Sequence, residues 1–126
     1  SRTDMGFPIQ YALTYPARMK GALDPLDFAT LSKLEFSPPR LDDFPALNLA
    51  RQAGNTGGTM PAVFNAANEI AVQAFRDGTL RFPEIWGCVA HCMAEHKAIA
   101  NPTLDQILGA DTAVRKIGTE WCAEKR

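Results

Sequence analysis

Hydrophobic residues recur at helical spacing from residue 44 onward, and the pattern is clearest in the segment after Thr59. Apolar positions there are three and four residues apart, which is the period of one face of an α-helix. Thr59 suits the N-cap, and Pro61 is tolerated in the first turn because its missing N–H costs no hydrogen bond there. We expect Gly78 to end this helix. Its apolar face comprises Val63, Ala67, Ile70, Ala71, Ala74 and Phe75.

Two more helices are predicted on either side of this long one. The first covers residues 44–53, after Asp42 or Asp43 as the cap, and ends at Gly54. The other begins around Pro83, since proline is favoured in a first turn. Its predicted apolar side comprises Ile85, Trp86, Val89, Cys92 and Met93.

A fourth helical region begins with Thr103 as its cap. We expect a break at Gly109, after which Asp111 caps a second piece. Short connections between helices favour antiparallel neighbours. The sequence therefore predicts a mainly α fold, built as a small four-helix-type bundle.

The first part of the chain has only short periodic pieces. Residues 8–14 predict a brief helix that Pro16 stops. Residues 34–37 alternate apolar and polar side chains, which predicts a short edge strand ended by Pro38. Such an irregular segment has too little apolar surface to offset its ordering entropy alone.

These patterns divide the chain into two regions. Residues 1–43 are interpreted as a connecting segment with a short helix and a short strand, and residues 44–126 as a C-terminal helical bundle domain. The chain begins with Ser1 rather than with Met, so we expect a fragment of a longer protein.

Composition excludes several classes of partner. The net charge is −1, which provides no electrostatic attraction for nucleic acid or for an anionic membrane. Apolar runs are far shorter than the ~20 residues that span a bilayer. The three cysteines are odd in number, which favours a reduced, cytosol-like compartment.

Two cysteines and two histidines, Cys88, His91, Cys92 and His96, are the residue types that bind zinc. On one helix, however, the first and last of these are separated by about 12 Å along the axis, so a single helix offers two ligands and not four. We interpret the cysteines as core residues, His91 as solvated and His96 as packed. A small zinc-binding domain stays an alternative that rests on this cluster alone.

Two polar motifs have both a functional and a structural interpretation. Asn65, Asn68 and Glu69 share one helical face, where they could bind a substrate or hydrogen-bond the backbone of the preceding loop or of the connecting segment, and we favour structural support. The glycine-rich residues 54–59 precede a helix but lack the spacing of a phosphate-binding loop. We interpret them as a flexible loop between helices.

Several blocks resemble one enzyme family. Residues 4–18 contain Asp-Met followed by Pro-Ile, and residues 57–69 read Gly-Gly-Thr-Met-Pro-Ala-Val-Phe-Asn-Ala-Ala-Asn-Glu. Residues 21–28 and 34–36 agree in order and spacing. Together they resemble the C-terminal portion of 1-deoxy-D-xylulose 5-phosphate reductoisomerase, an enzyme of non-mevalonate isoprenoid biosynthesis.

The resemblance implies a parent enzyme that uses NADPH and Mg or Mn and forms 2-C-methyl-D-erythritol 4-phosphate. It implies that Met5, the methionine of the Asp-Met motif, lies against the nicotinamide ring, and it transfers no catalytic residue and no metal ligand. The implied partners are the missing N-terminal and catalytic domains, in a homodimer. The implied compartment is bacterial cytoplasm or plastid stroma.

Two functional hypotheses follow. In the first, the chain is a scaffolding part of the reductoisomerase and is inactive alone. In the second, it is a free-standing helical protein-interaction module. Residues 1–40 still match the family, including Met5, and this cofactor-contact motif has no use in a free module. The match therefore favours the first hypothesis.

Overall fold

The computed structural model describes residues 4–21, 24 and 26–125. Ser1, Pro25 and two residues of a family-like block, Ala22 and Leu23, lie outside them. The chain divides into two compact units, Ser1–Pro38 and Pro39–Arg126. All regular elements in the described ranges are helices, which confirms the mainly α prediction. The division predicted after residue 43 stays a prediction.

The first unit contains two helices, α1 (Gly6–Thr14) and α2 (Phe28–Leu31). α1 starts slightly earlier than expected because the Asp4 carboxylate accepts a hydrogen bond from the Gly6 N–H at 2.7 Å. α2 begins after Asp27, whose carboxylate accepts from the Ala29 N–H at 2.9 Å. Each start therefore has an aspartate that satisfies a backbone donor left unpaired by the helix.

The predicted strand at residues 34–37 is wrong. These residues adopt no regular structure, and no strand occurs in the part of the chain that the structure describes. An alternating pattern needs a neighbouring strand to satisfy its backbone groups, and none is available here. Phe36 instead leaves 90% of its surface exposed.

The second unit contains α3 (Ala46–Thr56), α4 (Met60–Arg76), α5 (Glu84–Glu95) and α6 (Leu104–Ala123). α4 packs against the other three helices, and α5 packs against α3 and α6. The buried core consists largely of small side chains, above all on α4, which allows close approach of the helices. Its α4 members are Met60, Val63, Ala66, Ala67 and Ala71.

Two predicted helix boundaries are wrong. α3 continues through Gly54 and ends at Gly57, whose φ of +65° suits glycine. α6 is continuous through Gly109, so Asp111 caps nothing. Both interior glycines have open space around them, and an isolated glycine costs a helix only about 1 kcal/mol, which packing overrides.

Other expectations at the helix ends hold in part. Thr59 is the N-cap residue of α4, but its side chain makes no capping hydrogen bond. Pro45, not Asp42 or Asp43, precedes α3. Thr103 caps α6 with a complete capping box.

Phe75, predicted on the apolar face of α4, is 40% exposed.

No helix in the described ranges has the length and hydropathy needed to cross a membrane.

Candidate functional site

Met5, the predicted cofactor contact, stands at the start of α1 in the first unit. It is the N-cap residue, with helical φ and ψ of −73° and −13°. Its carbonyl oxygen accepts a hydrogen bond from the Ile9 N–H at 3.1 Å. The first turn of α1 therefore fixes the Met5 backbone while its side chain stays 68% exposed.

Met5 is the first residue of an exposed apolar stripe along α1. Ile9 and Leu13 follow it at intervals of four residues and are 52% and 81% exposed. Side chains four residues apart lie on the same face of a helix. This stripe, Met5 with Ile9 and Leu13, is an apolar contact surface on a short helix that buries none of its own side chains in the core.

A groove runs between α1 and the chain that returns past it. The Gln10 side-chain amide donates to the Met19 carbonyl oxygen at 2.9 Å and thereby holds the returning chain. A Cβ atom at Gly21 would lie 2.3 Å from Gln10 Oε1, so a larger residue there would require the Gln10 side chain to move. A cavity of about 400 Å³ opens beside the stripe. Its lining comprises Gly6, Ile9, Gln10, Leu13, Thr14, Lys20 and Gly21.

The chemistry of this region is that of binding. The thioether of Met5 is apolar and polarizable, which suits contact with an aromatic ring. Around it, Gln10 and Thr14 use their polar groups to hold backbone carbonyl oxygens. The described residues that line the cavity offer apolar and hydrogen-bonding groups and no acid and base pair for proton transfer.

The polar face of α4 forms an ionic network with α6. Arg115 donates to Glu69 Oε2 at 2.6 Å and forks onto Asp111 at 2.7 Å and 3.2 Å. Asn65 donates to the other Glu69 oxygen at 3.0 Å. Hydrogen bonds from Arg115 first and Asn65 second hold the pKa of the Glu69 carboxyl below its ordinary value.

This network explains two of the three polar residues on α4. Asn65 and Glu69 bond each other and a residue of α6, rather than the backbone of the preceding loop, while Asn68 is half-buried nearby on the same helix. Sequence reasoning missed Arg115. Its spacing of four residues from Asp111 was the available signal, since that spacing favours an ion pair on a helix.

Thr59 holds the loop before α4 against the chain after α5. Its hydroxyl oxygen accepts from the Ile99 N–H at 3.1 Å and lies 2.7 Å from His96 Nε2. Which of the two groups donates depends on the tautomer of the His96 ring, since a hydroxyl can both donate and accept. The Thr59 N–H in turn donates to the Ile99 carbonyl oxygen at 3.2 Å. The glycine-rich residues before α4 therefore end in a fixed contact rather than in a flexible loop.

The cysteine and histidine residues of α5 point in different directions. Cys88 and Cys92 are buried and free. His91, expected to be solvated, instead packs its ring on Trp121 with 6.3 Å between centroids, because α6 crosses that side of α5. His96 is occupied by Thr59. Within the described residues, no three His, Cys, Asp or Glu side chains are grouped as a metal site requires.

The sequence matches one family model along most of its length. The model is that of the DXP reductoisomerase C-terminal domain, and it covers residues 1–117. A 1-deoxy-D-xylulose 5-phosphate reductoisomerase of Symbiobacterium thermophilum is 48% identical over 118 residues. That match covers 94% of this chain and 30% of the relative.

Solved structures agree with the sequence match. A 1-deoxy-D-xylulose 5-phosphate reductoisomerase from Zymomonas mobilis in complex with NADPH superposes with a TM-score of 0.86 at 35% identity. The match covers 95% of this chain and 32% of the Zymomonas mobilis chain. A DOX-P reductoisomerase in complex with NADPH, fosmidomycin and magnesium gives a TM-score of 0.87 at 36% identity, covering 96% and 32%.

The chain thus spans about a third of the length of the proteins that it matches. The family model, which covers residues 1–117, includes Met5 and the residues of the ionic network on α4 and α6. The chain belongs to the DXP reductoisomerase C-terminal domain family.

Proposed function

We propose that this chain serves as the C-terminal part of an NADPH-dependent 1-deoxy-D-xylulose 5-phosphate reductoisomerase. The whole enzyme isomerises its substrate and reduces it to 2-C-methyl-D-erythritol 4-phosphate. The observation that carries the proposal is the superposition of both units on a reductoisomerase in complex with NADPH, at a TM-score of 0.86. The remaining two thirds of such an enzyme are the partner that this chain requires.

The unit Pro39–Arg126 acts as a scaffold in this proposal, as a bundle of the four-helix type. Its polar residues are engaged in holding helices and loops together, as Arg115 and Thr59 illustrate. Such a rigid body supports catalysis indirectly, because reacting groups must be held to within a fraction of an ångström by the structure around them.

Met5 is the residue through which this chain reaches the cofactor. Its exposed thioether, fixed at the start of α1, suits contact with one face of the nicotinamide ring. NADPH supplies the hydride when it is bound, and Met5 restricts where the ring can lie. In this proposal the upstream domains supply the ligands of the divalent metal, Mg or Mn. They also form the contact between the two subunits of the homodimer.

The compartment follows from the same assignment. A reductoisomerase of this family works in bacterial cytoplasm or plastid stroma, and the three free cysteines are consistent with a reducing compartment. A net charge of −1 supports neither nucleic acid nor an anionic membrane as a partner.

The proposal is tested by NADPH oxidation with 1-deoxy-D-xylulose 5-phosphate and Mg²⁺. The chain alone should give no turnover, whereas the full-length enzyme should be active. In that enzyme Met5→Ala should raise the KM for NADPH several-fold, whereas Leu104→Ala, which removes an equally exposed apolar side chain from α6, should leave that KM unchanged. Turnover by the chain alone would overturn the scaffold role, and a wild-type KM in Met5→Ala would overturn the cofactor contact.

A further inference from the structure

Three buried thiols meet where α5 packs against α6. Cys88 and Cys92 lie on α5, and Cys122 lies on α6. The sulfur atoms of Cys88 and Cys122 are 3.9 Å apart, which is van der Waals contact. The scaffold role gives these thiols only a packing function, so their chemistry is unassigned.

Small residues bring the two helices close at this point. A Cβ atom at Gly118 would lie 3.5 Å from the Cys92 sulfur and 3.6 Å from the Cys88 sulfur. At Gly87 an added Cβ would lie 3.3 Å from the Trp121 ring. A disulfide requires Cα atoms about 4.4–6.8 Å apart. The glycines let α5 and α6 come close here, and the Cys88 and Cys122 sulfur atoms are already in contact.

Geometry also selects the pair that can react. Cys88 and Cys92 are four residues apart on one helix, which places their Cβ atoms about 5–6 Å apart. A disulfide needs Cβ atoms about 3.5–4.5 Å apart, so α5 would have to unwind to join them. Cys122 contacts Cys88 across the helix interface and has no such restriction.

Cys122 is also the thiol that a small oxidant can reach. It lines a cavity of about 380 Å³ between α4 and α6. Cys88 lies behind it, with none of its surface exposed. The other lining residues are Ile70, Gln73, Ala74, Asp77, Thr79, Thr119 and Ala123.

We propose that Cys88 and Cys122 form a reversible disulfide that joins α5 to α6 when a hydroperoxide enters this cavity. The Cys122 sulfur attacks the hydroperoxide, the O–O bond breaks, and a sulfenic acid and an alcohol or water result. The Cys88 sulfur then attacks the Cys122 sulfur, the S–O bond breaks, and the hydroxyl leaves with the Cys88 proton as water. Two electrons pass from the two thiols to the peroxide. A dithiol reductant restores the two thiols by reducing the disulfide.

Burial sets the rate of this reaction. It raises the pKa of the Cys122 thiol above its ordinary value, and the pKa of the Cys88 thiol is raised by its contact with Cys92 first and by burial second. The thiolate is the nucleophile, so its small population at neutral pH makes the reaction slow. The rate should rise about tenfold for each unit of pH in this range, because the thiolate fraction does so.

The test treats the purified full-length protein with hydrogen peroxide, blocks the remaining thiols, and maps peptides without reduction. We expect one intramolecular link, Cys88 to Cys122, with Cys92 left as a free thiol. Dithiothreitol should remove the link, and its formation should speed up with pH. The linked protein should also unfold at a higher temperature than the reduced protein, since the bond closes a long loop in the unfolded chain.

Variants separate this bond from general oxidation. Cys122→Ala and Cys88→Ala should each abolish the link, whereas Cys92→Ala, which removes a thiol buried in the same place, should retain it. Peptide mapping of the unmutated protein decides the matter even where a variant folds poorly. Three free thiols after oxidation, or a link that involves Cys92, would overturn the proposal.

Discussion

Gly58 illustrates how one residue can fix the position of two loops. Its φ is +57°, a left-handed conformation that most residues avoid. A Cβ atom there would lie 2.2 Å from the Ile99 carbonyl oxygen. Gly58 is therefore required by a close approach of two backbones, whereas Gly57 has open space around it and is favoured by its positive φ alone.

Gly58→Ala should lower the free energy of unfolding by about 2 kcal/mol or more, since left-handed backbone alone costs 1–2 kcal/mol and the clash adds to it. Urea unfolding followed by circular dichroism measures this change. Gly54→Ala is the matched control. It lies within α3 with nothing near its added methyl group, and should stabilise by about 0.5–1 kcal/mol. Equal effects of the two substitutions would contradict the assignment.

Thr59 gives a second prediction at the same scale. Thr59→Val keeps the shape of this fully buried side chain but leaves the Ile99 N–H and His96 without their partner. A buried group that loses its hydrogen bond costs about 1–3 kcal/mol, so unfolding should become easier by that amount or more. Thr59→Ser retains the hydroxyl and should lose less. If valine proved as stable as threonine, the hydroxyl would have no structural role.

At the scale of elements, α4 organises the second unit and α6 is tied to it by charge. The Glu69 carboxylate on α4 and the Arg115 guanidinium on α6 are 2.6 Å apart. Both side chains are partly exposed, so solvent weakens the attraction between them. The ion pair therefore serves mainly to fix the register of the two helices, whose core contacts are small side chains.

The stability that this ion pair provides should depend on pH. The pKa of Glu69 in the folded chain is below its ordinary value of 4.5, so the unfolded chain binds more protons as pH falls past that value. The contribution is present above pH 4.5 and is lost as pH falls through the folded pKa. The difference in unfolding free energy between the wild type and Glu69→Gln should therefore shrink on acidification.

Arg115→Gln provides the control for that pH dependence. In this background Glu69 has lost the partner that lowers its pKa, so Glu69→Gln should have a smaller and flatter effect. Chemical denaturation of all four proteins across a pH series measures the coupling. A difference that stays constant with pH when Arg115 is present would assign the helix register to packing alone.

Sequence patterns located the helices better than their ends. Thr59 with Pro61 and the apolar face after them marked α4, because local chemistry and burial agree there. Gly54 and Gly109 were misread as helix ends, because an interior glycine carries a small cost that tertiary packing overrides. The strand predicted from the alternation at residues 34–37 is wrong for another reason. A strand requires a partner strand, whose presence cannot be inferred from a local pattern.

The candidate site was less predictable than the fold. Met5 was found through its resemblance to the family motif, and periodicity alone gives an exposed methionine no meaning. Arg115 was missed because its second partner, Glu69, comes from another helix far away in sequence. Contacts of that kind depend on how helices cross, which residue spacing within one helix does not encode.

At the scale of the whole molecule, the two units differ in burial: the second has a hydrophobic core and the first has none. Every buried hydrophobic side chain of the described residues lies in the range from Ala53 to Cys122. α1 and α2 bury none of theirs. The apolar stripe of α1 is therefore an exposed surface on a unit that has no core of its own.

Residues 39–126 should accordingly fold alone. All the core helices are present in that piece, so we expect helical circular dichroism, a cooperative urea transition and dispersed amide resonances. A peptide of residues 1–38 should show little helix, because short isolated helices are marginal in water and it buries too little apolar surface to offset ordering. If the 39–126 piece unfolded without cooperativity, the first unit would be part of its core, and the assignment of the core to the second unit alone would be wrong.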